Sequence, residues 1–299
     1  MTELRPSAQF DAAGAFFVQT HEILPTSWHG KLNLVFAKAY DTTKLIQNQV
    51  QAPLKVLRPF YPEGPAVCHS VVLHTAGGVV GGDRNSLNFH LEPNAQALIT
   101  TVAAGKIYRS NRLPARQSIQ MQVDADACLE WLPLETIVFN GAIYRQDLKV
   151  ELAPGASWLG WEITRFGRTA RGERFLQGEW RSHTEIWQQG LPLWIDRQWL
   201  PGGEEIINSP HGLAGQPIVA SLVWVGAAVE PSVVAKARSL WAASERQGEA
   251  GVTRLKAGLL CRYRGSSTAE VRSWFIDVWH LLRLSFLARP SCIPRVWLL

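Results

Sequence analysis

Apolar and polar positions alternate along most of the chain between Trp28 and Trp199. Leu32, Leu34 and Phe36 take turns with polar or small neighbours, the period-two pattern of a strand with one buried face. Residues 42–46 and 53–57 predict two further short strands. The second of these is closed by Arg58-Pro59-Phe60-Tyr61-Pro62-Glu63-Gly64, where two prolines fix φ and restrict the residues before them. A glycine cluster follows, Gly77, Gly78, Gly81 and Gly82, closed by Asp83. Glycines crowded in this way let the backbone turn or approach another group closely. The run after them, Leu87-Asn88-Phe89-His90-Leu91, alternates as a strand, whereas a dinucleotide fingerprint would open a helix and a phosphate loop would end in Gly-Lys-Ser/Thr. Nucleotide binding at this cluster is therefore excluded.

An internal repeat sets the architecture. Residues 87–98 (LNFHLEPNAQAL), 119–129 (IQMQVDADACL) and 148–159 (LKVELAPGASWL) share one design. Each has three alternating apolar positions, a turn ending in Asn, Asp or Gly, an alanine, and a second strand. The aligned alanines Ala95, Ala127 and Ala156 are 32 and 29 residues apart. A weaker fourth copy spans 180–194 and turns at Gln189-Gly190. Hairpin units repeated at this period predict stacked β-layers, a solenoid or an elongated sandwich, with a plain β-meander as the alternative.

Beyond Trp199 the pattern changes. Residues 201–217 are rich in Gly and Pro and predict a loop, followed by a strand over 218–229. A helix over 231–246 places Val234, Ala237 and Trp241 on one face, and 255–262 predicts a strand. Ser267-Thr268-Ala269-Glu270 is a capping box, and Val271, Trp274, Phe275, Val278, Leu281, Leu282 and Phe286 continue at helical spacing. The expected fold is mainly β: a poorly patterned, mobile lead over 1–27, a β-rich body of repeated hairpin units over 28–230, and a small α/β part with two helices over 231–299.

Composition refines this picture only slightly. Apolar residues make up 46% of the 299, enough for a sizeable core, and thirteen tryptophans suit broad sheet faces or partner surfaces. A net charge of +5 is a mild pointer to an acidic partner. The four cysteines form no C-x-x-C pair, which points to free or metal-facing thiols in a reducing compartment. The N-terminus lacks a signal-peptide core and no run approaches a membrane span of roughly 20 residues, so the expected location is the cytoplasm.

Three acids stand in strands with apolar residues on both sides: Glu135 before Ile137 and Phe139, Glu162 in Trp161-Glu162-Ile163, and Asp196 in Trp194-Ile195-Asp196-Arg197. Such acids need a partner, a hydrogen bond or trapped water. They fit either a polar channel through the β body or ordinary salt bridges to Arg165, Arg168 and Arg197. Cys68-His69, with His74 five residues on, offers soft and borderline metal ligands, against the simpler reading of core or surface residues. Arg165, Arg168, Arg171 and Arg174 around Glu173 form a basic strip, either solvated or facing an acidic protein; nothing supports a nucleic-acid role.

The motif series Arg58-Pro59-Phe60-Tyr61-Pro62-Glu63, Cys68-His69, Leu73-His74, Gly77-Gly78-Val79-Val80-Gly81-Gly82-Asp83, Lys106-Ile107-Tyr108-Arg109-Ser110, Leu129-Glu130-Trp131-Leu132-Pro133, Gly167-Arg168 and Pro294-Arg295-Val296-Trp297 resembles the urease accessory protein D family, also called the H protein. The resemblance covers residue 28 to the end. It departs at Thr75-Ala76, where the family commonly has two prolines, and at Leu57, where glutamine is frequent. It implies an elongated β-helix-like body with two C-terminal helices, and a scaffold rather than an enzyme. It further implies binding to apo-urease and to accessory protein F, which docks the GTPase accessory protein G. Nickel(II) would be handled transiently, with no tightly bound cofactor, through an internal tunnel. Asp83, Glu162, Arg168 and Asp196 fall where the family's tunnel-associated polar residues lie. A carbohydrate-active β-solenoid using Glu135 and Glu162 as a carboxylate pair, and a scaffold without an ion path, are the alternative expectations.

Overall fold

The computed structural model describes residues 27–298 together with a two-residue strand pair, β1 (Gln9–Phe10) and β2 (Phe16–Phe17). The expectation of a mobile lead over 1–27 otherwise falls outside the described residues. The first alternating run forms β3 (His29–Ala39), which folds back as β4 (Thr42–Gln51), followed by β5 (Leu54–Val56) and β6 (Cys68–His74). Three coils come next: β7 (Arg84–Leu91), β8 (Gln96–Thr101) and β9 (Gly105–Ile107); then β10 (Ala115–Val123), β11 (Cys128–Leu132) and β12 (Thr136–Val138); then β13 (Ile143–Leu152) and β14 (Ser157–Phe166). The chain finishes with β15 (Glu179–Gln188), β16 (Leu191–Pro201), α1 (Glu204–Asn208), β17 (Ile218–Val225), α2 (Pro231–Ala242), β18 (Glu249–Leu255), β19 (Gly258–Gly265) and α3 (Thr268–Phe286).

These strands build a β-solenoid of about four turns. One sheet runs β16-β15-β13-β10-β7-β3-β4, and the other β18-β19-β17-β14-β11-β8-β6-β5. Within the coils the pairing is parallel and in register: Leu87 opposes Ile119, which opposes Leu148, while Gln96, Cys128 and Ser157 align on the second sheet. The repeat is therefore real, but its units are not hairpins. The two strands of each unit lie in different sheets and pair with their counterparts in neighbouring coils. The turns enforce this. Asn94, Asp126 and Gly155 have positive φ, and the backbone at these turns bonds between neighbouring coils: Asn94 N–H to the Ala125 carbonyl and Cys128 N–H to that of Ala95. Ala95, Ala127 and Ala156 stack at these corners, fully buried.

The fourth copy departs from the pattern. Gln189 and Gly190 both have positive φ, the geometry that suits a tight antiparallel hairpin, so β15 returns as β16 in the same sheet. β4 caps the other end of that sheet in the same antiparallel way. The loop expected over 201–217 holds the short α1, and the strand expected over 255–262 is half of the β18–β19 hairpin. β18 and β19 extend the second sheet of the body through β17.

Each sheet has one face inside the solenoid. There Leu32, Leu34, Phe36, Phe89, Leu91, Met121, Val150, Trp131 and Trp158 form one core. On the outer face of the second sheet, Leu98, Leu132, Leu159, Trp161 and Ile163 pack under α2 and α3, meeting Trp274, Phe275, Val278 and Trp279. The capping box is half formed. Ser267 Oγ accepts from Glu270 N–H at 3.2 Å, while the Glu270 carboxylate accepts from Gln247 N–H instead of reaching back.

Candidate functional site

At the glycine-rich end of the solenoid the interior changes character. On the first sheet, the inward row Asn85–Gln117–Gln146–Ser182–Gln198 runs in register across β7, β10, β13, β15 and β16. One row further along, Leu87–Ile119–Leu148 becomes Thr184 and then Asp196. Five polar side chains in a line would be costly against an apolar core. They face a cavity of about 440 Å³, which His74, Gly78, Trp131, Trp158, Glu162 and Ser221 also line. The space is mostly apolar in lining, but it is large enough to hold water against the polar row. It reaches from the exposed residues Ala103, Gly105 and Lys106, at and before β9, to the Asp196–Gln198 corner.

Within this row the side chains hold one another. Gln117 Nε2 donates to Gln146 Oε1 at 3.0 Å, and the Tyr144 hydroxyl donates to the same oxygen at 3.3 Å. Glu162 enters from the second sheet and accepts from Ser182 Oγ at 2.9 Å and Thr164 Oγ1 at 3.3 Å. It lies deep in the body with its carboxylate toward the cavity. Burial pushes its carboxyl up; the hydrogen bonds oppose this and the negative charge of Asp196 adds to it, leaving it at about 7. Asp196 accepts from Gln198 Nε2 and from Arg262 Nη2, each at 2.7 Å, and the Arg262 side chain is half exposed. Asp196 thus connects the row to the surface.

His74 stands at the other end. Neither ring nitrogen has a hydrogen-bond partner among the described residues, and both are shielded from solvent. Burial holds the ring below its ordinary value, against the pull of Asp83's charge. An uncharged imidazole with an unused lone pair is a borderline ligand in waiting. Asp83 itself does not line the cavity. Its carboxylate accepts from Trp28 N–H at 2.9 Å and Val80 N–H at 3.0 Å, fixing the glycine turn. The glycines serve this corner: Gly77 and Gly82 have positive φ, and a Cβ on Gly78 would fall 2.3 Å from the Tyr108 ring.

The other predicted site residues lie elsewhere. Cys68 and His69, adjacent in β6, point to opposite faces: the thiol joins the interior core and the imidazole the outside. His69 Nε2 meets Glu63 Oε1 at 2.6 Å, and Cys292 completes a His/Glu/Cys group whose ligand atoms lie within 4.8 Å of one another. Both Glu63 oxygens are already taken by the Arg283 guanidinium, at 2.7 and 3.0 Å, and Arg283 also binds Glu130. Burial alone would raise the Glu63 carboxyl, but hydrogen bonds from His69 and Arg283 hold it down at about 2. A cation here would have to displace a buried guanidinium, so the group acts as a clamp between α3 and the solenoid. Glu135 pairs with Arg272 on α3, and Arg168 pairs with Glu173 beside the Phe139 ring. Glu135 and Glu162 sit on opposite sides of the second sheet, which leaves a carboxylate-pair hydrolase no shared cleft. The polar row is the feature that single acids did not announce. Its signal was in the repeat, because Asn85, Gln117 and Gln146 each stand two residues before the first aligned apolar position. All four cysteines are free thiols.

The fold is thus a β-solenoid whose glycine-rich end encloses a polar row. The chain belongs to the UreD urease accessory protein family, whose sequence model matches residues 29–298, and it therefore has a role in urease maturation. It is 74% identical over 270 residues to the urease accessory protein UreD of Nostoc punctiforme, covering 90% of this chain and 96% of that one. It is 62% identical to that of Acaryochloris marina, covering 91% and 95%. The UreD of Methylobacillus flagellatus, at 39%, still aligns over 90% of this chain and 94% of its own. No helix among the described residues is long and apolar enough to cross a membrane.

Proposed function

We propose that the chain passes nickel(II) to apo-urease through its interior, as a maturation scaffold in the cytoplasm working with accessory protein F and the GTPase accessory protein G. The observation that carries this reading is the enclosed polar row between an unpartnered His74 and the Glu162–Asp196 pair. Nickel here is cargo, so the route must bind weakly. Amide and hydroxyl oxygens can replace part of a hydrated ion's shell without trapping it, and two carboxylates at one end offset its charge. His74 is the only imidazole lining the cavity among the described residues, and Asp83 acts as a positioning residue through the glycine turn that follows it.

The test is urease co-expressed with its accessory proteins and with His74→Leu, Glu162→Gln or Asp196→Asn in this chain. Nickel per urease active site, read by metal analysis of the purified enzyme, is expected to fall several-fold while the accessory complex still assembles. Full nickel content in all three variants, with the complex intact, would overturn the route.

A further inference from the structure

The outward face of the first sheet carries an arginine ladder. Arg84, Arg116, Arg145 and Arg181 occupy one row of β7, β10, β13 and β15, each in direct register with the next. Trp199 of β16 continues the row at one end and His29 of β3 at the other. At ordinary strand spacing the six residues span roughly 24 Å. All four arginines are exposed. Like charges directly opposite on neighbouring strands repel, so the row is a burden to the isolated fold.

The acids around it relieve only one end. Asp147 takes Arg145 in a two-point contact at 2.7 and 2.8 Å, and Glu179 takes Arg181 at 2.6 Å. Arg84 and Arg116 make no salt bridge among the described residues. The Arg181 guanidinium lies 5.4 Å from the centre of the Trp199 ring, and that ring is 61% exposed. Ile195, on the same face of β16, is 39% exposed. Exposed Trp and Arg side by side, with an aliphatic neighbour, are the residues that anchor protein–protein interfaces. A nucleic acid or anionic membrane would gain little from Ile195, and Asp147 and Glu179 would oppose it.

We propose that this face docks apo-urease, with the Arg84–Arg116 end taking carboxylates of the partner and the Trp199 end taking an apolar patch. The proposal rests on the maturation reading above and adds the surface through which it operates. It predicts that Arg84→Glu/Arg116→Glu weakens binding of the full-length chain to purified apo-urease by about tenfold or more, mainly through the loss of charge complementarity. Wild-type binding should also weaken steeply between low and high salt. Arg254→Glu/Lys256→Glu, on the edge of the other sheet, changes net charge equally and should bind as wild type does. Arg84→Gln/Arg116→Gln covers the case in which charge reversal harms folding, which circular dichroism and thermal unfolding would reveal. Wild-type affinity in both ladder variants overturns the surface and leaves the maturation reading standing. Failure of the wild-type chain to bind apo-urease removes both. Retention on heparin or duplex DNA that exceeds urease binding and vanishes in the ladder variants overturns the protein partner in favour of a polyanion.

Discussion

Glu162 is the residue whose environment is most at odds with its charge. Its carboxyl is raised to about 7 inside the fold, whereas in the unfolded chain it ionises near the usual carboxylate value. Below that value both states are protonated and the group costs nothing. As pH rises toward 7 the unfolded chain ionises first, so stability falls across that interval and then stays lowered. The penalty is at most about 3 kcal/mol, and less to the extent that the cavity hydrates the carboxylate. Glu162→Gln should therefore match wild type in urea unfolding near pH 4 and be more stable at pH 8; equal stability at both pH values would show that the carboxylate is fully solvated. His74 illustrates the same scale from the opposite side. Its place in the interior follows from parity along β6, where Cys68, Val72 and His74 alternate with residues that face outward. The sequence placed Cys68 and His69 together as ligands because they are adjacent, and adjacency in a strand is what separates them.

Among the elements, α3 adds to its apolar face one buried guanidinium. Arg283 is wholly inaccessible, binds Glu130 and Glu63, and lies over the Trp279 ring at 4.7 Å. Removing it strands Glu130, which is 1% exposed, as an uncompensated charge. Arg283→Met should cost about 3–5 kcal/mol in equilibrium unfolding, and adding Glu130→Gln should restore part of it. A cost under 1 kcal/mol would mean that the clamp contributes little. The helix itself was readable from its cap and 3.6-residue spacing, and the stacked layers from the repeated alanines. The path of each unit was not. A turn that sends the next strand into another sheet and one that folds it back share Asn, Asp and Gly. The difference lies in whether the strands leaving the turn bond to each other or to the neighbouring coils. Among the turns of the repeat units, Gln189-Gly190 alone has two consecutive residues at positive φ, the geometry that specifies a hairpin.

For the whole molecule, the polar row is a stability concession held in place by the solenoid. Each of its members stacks on the next coil, so the row exists only because the coils are in register, and it was invisible in any one segment. Gln117 and Gln146 satisfy each other, and Tyr144 donates to the pair. Replacing hydrogen-bonded partners together by apolar groups of similar shape is nearly neutral, unlike removing one and orphaning the rest. Gln117→Leu/Gln146→Leu/Tyr144→Phe should therefore unfold within about 1 kcal/mol of wild type in urea, its interior now drier and more like the Phe89–Met121–Val150 rows beyond it. If the interior carries nickel, that variant should bind its partners normally and still leave co-expressed urease poor in metal. A stable, fully assembling variant that fills urease with nickel would place the ion's path outside the solenoid. A variant destabilised by several kcal/mol would show that the row serves the fold rather than the cargo.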